Sequence, residues 1–109
     1  MEGFRNNMAV YCGINAAIIA EYLWEQLDKQ DEHENILYKY GRNWYRCSHL
    51  MMTGEFPFMS IHMAKDAIMT LRKMNIIRKG SFNSSRFDRT NWYTFTDYGA
   101  KLMKEGEAA

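Results

Sequence analysis

The feature that most restricts how this chain can fold lies in its second half, where FPFMS at 56–60 precedes a helix-like run and FNSSRFDRTNWYTFT follows at 82–96. Ser60 is a strong N-cap, because its side-chain oxygen can accept one of the backbone N–H groups that the first turn of a helix leaves without a partner. From there IHMAKDAIMTLRKMN has helical periodicity. Ala64, Ala67, Ile68, Leu71 and Met74 share one side, and His62, Lys65, Asp66, Met69, Arg72 and Lys73 share the other. Asn75 tolerates the left-handed backbone that closes a helix. Residues 76–82 and WYTFT at 92–96 read as strands, the second with Tyr93 and Phe95 on one face and Trp92 and Thr94 on the other. Between them, NSSRFDRTN is rich in residues that form side-chain-supported turns. The chain is expected to run from a capped helix directly into a hairpin with a long, polar, basic tip.

The first half supplies the other pieces. INAAIIAEYLWEQL, from Ile14 to Leu27, has no proline or internal glycine and reads as a helix with an apolar stripe of Ala16, Ile19, Ala20, Leu23 and Leu27. Ile18, Tyr22 and Trp24 flank that stripe, an apolar surface that suits either a broad core or a self-association face. DKQDEHEN at 28–35 reads as an acidic loop, and ILYKYGRNWYRCS as two short strands turning at 40–42 around Gly41. Ser48 is placed to cap a short helix, HLMMTGEF, with Leu50 and Met51 inward; Gly54 and Pro57 end it. Thr96 or Asp97 caps a last helix, YGAKLMK, which should stop at Gly106.

In this order the elements suit an α+β domain of the winged helix-turn-helix kind: a small three-helix core, a short antiparallel sheet and a wing. Such a fold most often sets the second helix of its motif on DNA. At 109 residues the chain is expected to be one domain, 1–109, with a core over about 9–104 and frayed ends at 1–7 and 105–109. A chain of this size buries roughly 60–68% of its unfolded surface without a metal or disulfide staple. Cys12 and Cys47 read as small hydrophobes, with a bridging or reactive role as the alternative. Cys47 and His49 have no second pair at ligand spacing, so no metal or cofactor is expected. No run approaches the roughly 20 apolar residues that span a bilayer, and the start carries no leader-like segment, which points to a cytoplasmic protein without a membrane partner. The sequence offers no nucleophile with an evident base, no carboxylate pair at catalytic spacing and no glycine-rich phosphate loop, so an enzyme is not expected.

Charge is unevenly placed. Residues 1–60 hold five bases against eight acids, a net of −3, whereas residues 61–92 hold seven bases against Asp66 and Asp88, a net of +5. A basic segment on a chain of net charge +1 suits a local polyanion contact, or else a solvated charged face.

Five segments, GINAAIIAEYLW (13–24), GRNW (41–44), FPFMS (56–60), AIMTLRKMNII (67–77) and above all FNSSRFDRTNWYTFT (82–96), together resemble the winged-helix N-terminal domains of replication initiators from phages and mobile elements of Gram-positive bacteria, the replisome-organiser group related to DnaD-type proteins. The resemblance spans about residues 14 to 97. It implies a module that binds double-stranded DNA in replication initiation or regulation of a mobile element, with replication proteins as further partners. On that reading the helix that begins at Ser60 enters the major groove, with His62, Lys65, Asp66 and Lys73 near base edges or phosphates. Arg86 and Arg89 of the wing reach backbone or minor groove. Asp66 is suited to accept from a cytosine amino group. Asp88 and Arg89 equally suit a role in pinning the loop. The other reading of the same fold is a docking or oligomerisation module, including a homodimer through the first helix, or a transcriptional regulator.

Overall fold

Gly13, at φ +91°, is the hinge from which the helical layer is built: it ends one helix and starts the next in a backbone conformation that a side chain would strain. The computed structural model describes residues 3–29 and 35–107. The helices on either side of Gly13 are α1 (Asn6–Cys12) and α2 (Ile14–Asp28). They are followed by β1 (Ile36–Lys39), β2 (Arg42–Arg46), α3 (His49–Glu55), α4 (Ile61–Lys73), β3 (Ile77–Gly80), β4 (Trp92–Phe95) and α5 (Asp97–Glu107). Among the described residues the protein is therefore α+β, with five helices and one antiparallel sheet of strand order β1-β2-β4-β3.

Local chemistry sets most boundaries. The β1–β2 turn uses Tyr40 and Gly41 at φ 56° and 74°, the positive pair that a two-residue hairpin requires. Ser48 Oγ accepts from the Met51 N–H at 3.0 Å and Ser60 Oγ from the Met63 N–H at 3.1 Å, so both expected caps form. Asn75, at φ 61°, closes α4 in a Schellman arrangement, with the Ile76 N–H on the Leu71 carbonyl and the Asn75 N–H on that of Arg72. Thr96 caps α5, its Oγ1 accepting from the Gly99 N–H.

The main core lies between the helices and one face of the sheet. Ile19 and Leu23 of α2, Met52 of α3, and Ala64, Ile68 and Leu71 of α4 meet Tyr45, Ile77, Tyr93 and Phe95 of the sheet. The register pairs Tyr45 with Tyr93 and Ile77 with Phe95, which puts all four on that face. On the opposite face a smaller aromatic cluster forms. Phe82 packs edge-on against Trp44 at a centroid distance of 4.9 Å and lies 6.3 Å from Trp92.

Four expectations need correction. The described part of 1–7 is not frayed: Arg5 is ion-paired with Glu21 and donates to the Met103 carbonyl, and Asn7 donates to that of Leu102. Gly106 does not stop α5; a Cβ there would lie 2.6 Å from Asn7 Oδ1 and 2.7 Å from Arg5 Cδ, so it lets the α1 end approach. In α3 it is Met52, not Leu50, that enters the core, and Leu50 is exposed. The surplus apolar face expected at Ile18, Tyr22 and Trp24 of α2 is absent as well. Ile18 and Tyr22 are buried, Tyr22 shares a hydrogen bond with Tyr45, and Trp24 packs edge-on against Phe95. Of the two readings of these residues, the broad core is the one that forms: Ile18, Tyr22 and Trp24 pack within the protein itself.

The acidic connection expected at 28–35 has residues 30–34 outside the described residues, as are 1–2 and 108–109 at the expected frayed ends. No described helix is long and apolar enough to cross a membrane.

Candidate nucleic-acid interface

The Schellman turn at Asn75 decides where charge collects. It swings the chain from the last turn of α4 directly into β3, so Arg72 and Lys73 at the end of the helix line one groove with Arg78 and Lys79 of the strand. Met69, Asn75 and Ile77 complete the lining, and no carboxylate is among these residues. None of the four cations is in an ion pair among the described residues. Arg78 pairs with Thr94 and Lys79 with Tyr93, so the two strand cations project to opposite faces of β3, and with Arg72 and Lys73 they make the surroundings of a shallow, open groove positive.

Ser60, the N-cap of α4, and His62, Lys65 and Asp66 on its first turns are all exposed. Ser60 Oγ is engaged as the helix cap. His62 Nε2 lies 3.3 Å from Asp66 Oδ2, one helical turn apart, so the acid on this face is answered by a neighbour whenever the imidazole is protonated. Lys65 lies near enough to His49 of α3 to act with burial, the larger cause, in lowering that imidazole's pKa.

The loop expected to form a wing is the β3–β4 connection, residues 81–91. A turn closes with the Asp88 N–H on the Ser85 carbonyl at 3.2 Å and the Phe87 N–H on Ser85 Oγ, which puts Arg86 and Phe87 at its tip. Asn83 ties the loop together. Its amide donates to the carbonyls of Asp88 and Thr90, both at 2.8 Å, and its Oδ1 accepts from Trp92 Nε1 at 2.8 Å. Asp88 reaches back to Arg46 of β2 and also accepts the Thr90 N–H. These contacts, the Thr90 backbone bond first and the Arg46 bond second, hold the Asp88 carboxyl down at about 2. Of the two residues that suited a pinning role, Asp88 performs it, while Arg89 is exposed and makes no hydrogen bond or ion pair among the described residues. Arg86 is exposed too, with its guanidinium 5.2 Å from the centre of the Phe87 ring.

Of the residues expected at the interface, the structure thus joins His62 with Asp66 on α4, sets Lys73 in the groove and holds Arg86 and Arg89 on a braced loop. Arg72, Arg78, Lys79 and the supporting Arg46 were not among them. Arg72, Arg78 and Lys79 were signalled by the positive charge of residues 61–92 and Arg72 also by its outward place on the helix, but neither signal joins them in one groove, and Arg46, in the acidic first part of the chain, had none. Among the described residues no group of His, Cys, Asp or Glu side chains is arranged to hold a metal ion. Comparison with family models, with curated proteins and with solved structures finds no match for this chain.

Proposed function

We propose that this domain is a winged helix that binds double-stranded DNA and serves replication initiation or regulation of a phage or mobile element. The observation that carries the reading is the groove between α4 and β3, lined by Arg72, Lys73, Arg78 and Lys79 without a carboxylate. The order α3, capped turn, α4, hairpin supports it. In that layout α4 is the helix that enters the major groove, the cationic groove takes the phosphates beside it, and the wing reaches the next stretch of backbone. The link to replication rests on the sequence resemblance to replisome organisers.

Titration of a labelled duplex at several salt concentrations tests the proposal. Each phosphate neutralised contributes about −0.9 to the slope of log affinity against log salt. Removing Arg72 and Arg78 together is therefore expected to flatten the slope by roughly 1.8 and to weaken all duplexes alike. A folded Arg72→Ala, Arg78→Ala double variant with unchanged affinity and slope refutes the assignment of the groove. Exposed Val10, Tyr11 and Ile14 near the α1–α2 hinge favour a docking role as the second reading. Indifference to duplex, together with mass that rises with concentration, would select it.

A further inference from the structure

The wing is braced more firmly than a connection requires, and what it holds out is an apolar ring. Phe87 is 82% exposed, at the tip of a turn fixed by Ser85 and backed by Asn83, Trp92 and Arg46. Folding gains little from a phenylalanine in that position, since its ring touches no core. The acid beside it, Asp88, points inward to Arg46 and Thr90, so the outward charge of the tip is that of Arg86 and Arg89. A rigid apolar point flanked by two cations is complementary to a stacked, anionic duplex: the cations meet phosphates while the ring finds dry contact only between bases.

We propose that Phe87 is a minor-groove wedge, which enters a base-pair step of duplex DNA and kinks it while Arg86 and Arg89 hold the flanking phosphates. The proposal rests on the duplex-binding reading and adds to it a deformation of the DNA. Flexible pyrimidine–purine steps unstack most readily, so the wedge selects them without hydrogen bonds to their edges.

A duplex of about 30 base pairs, with dyes at its ends and a 2-aminopurine at a central TA step, reports bending and unstacking separately. Wild-type protein is expected to draw the dyes together by a kink of roughly 20–90° and to raise the 2-aminopurine emission. Phe87→Ala, at an exposed position where folding is unaffected, is expected to bind with the same salt slope but to leave the duplex straight. Phe87→Leu keeps an apolar wedge and is expected to retain the kink. A wild-type complex that is bound but straight, or a Phe87→Ala complex that is kinked as strongly as wild type, overturns the wedge and leaves duplex binding standing. An effect of Phe87→Ala on single-strand affinity alone also overturns it, in favour of stacking on unpaired bases. If wild-type protein binds no duplex at low salt, the duplex-binding reading falls and the wedge falls with it.

Discussion

Gly99 is the position where the structure makes its sharpest demand on sequence. A Cβ built there would lie 2.0 Å from the Ile76 carbonyl oxygen and 2.8 Å from its carbon, both of them backbone atoms. An ordinary carbon–oxygen approach is about 3.3 Å, so Gly99→Ala forces α5 and the Asn75–Ile76 turn apart by roughly 1.3 Å. That separation strikes the bonds that dock the helix. The Thr96 N–H donates to the Ile76 carbonyl at 3.0 Å, and Thr96 Oγ1 donates to the Asn75 carbonyl at 2.6 Å. Overpacking costs about 1–3 kcal/mol where neighbours can give way. Because both neighbours here are main chain, the upper end is expected, about 3 kcal/mol, or a fall in melting temperature of about 12 °C for a domain of this length. Gly54→Ala in α3 is the control, since a Cβ there meets nothing within 4 Å. The same chemical change at that site should stabilise by about 0.5–1 kcal/mol through helix propensity alone. Thermal unfolding followed by circular dichroism measures both. A Gly99→Ala protein that melts within a degree or two of wild type would show that α5 is not seated on the Asn75 turn.

Tyr93→Ala removes a fully buried ring where the sheet meets the helices, and is expected to cost about 3–5 kcal/mol in the same assay; a loss below 1 kcal/mol would place β4 outside the core. The Asp88 carboxyl, at about 2 against its ordinary 3.8, stabilises the β3–β4 loop at any pH above the ordinary value, and that support is lost as pH falls toward 2. Trp92 fluorescence should therefore change between about pH 4 and pH 2 in wild type but not in Asp88→Asn, and identical profiles would rule out the Asp88–Arg46 brace. Burial pushes the Cys47 thiol up to about 12 and also raises that of Cys12, which is only half-buried; alkylation of native protein at neutral pH should modify Cys12 ahead of Cys47, and equal rates would contradict the packing around Cys47.

The elements that sequence made legible are those whose ends are written in local chemistry. Ser48, Ser60, Gly41 and Asn75 each fix a boundary through a cap or a positive φ, and each performs that role in the structure. α1 was not legible. NNMAVYC has no capping side chain and only Met8 buried, and it is held by distant partners, Arg5 with Glu21 and Asn7 with Leu102. The choice between Leu50 and Met52 was also beyond local pattern, because seven residues of α3 make two turns and α4 decides which side is covered. At the candidate interface, periodicity put Arg72 and Lys73 outward correctly but gave no reason to join them to Arg78 and Lys79. That union depends on the direction in which Asn75 reverses the chain. The Arg46–Asp88 bond joins residues 42 apart in sequence, where no spacing rule reaches.

The two cationic surfaces rest on different foundations, and this bears on how binding and stability are connected. The groove is carried by the end of α4 and by β3, which the Asn75–Thr96 contact ties to α5 and the main core. The β3–β4 loop is carried by Arg46 and by the outer aromatic cluster, where Gly80 leaves room for Phe82: a Cβ there would meet the Phe82 ring at 2.5 Å and Trp44 at 3.0 Å. Phe82, unlike the backbone at Ile76, is a side chain on a loop and can swing away. Damage to the main core therefore takes fold and groove together, whereas loss of the Phe82 ring or of the Arg46–Asp88 bond is expected to loosen the β3–β4 loop first. The residues proposed to meet DNA, Arg72, Lys73, Arg78, Lys79, Arg86, Phe87 and Arg89, are all exposed and outside both clusters. Removing one of the six cations changes the surface charge and removing Phe87 only exposed apolar area, and neither touches the packing, so a loss of duplex binding in such variants reports on contact rather than on folding.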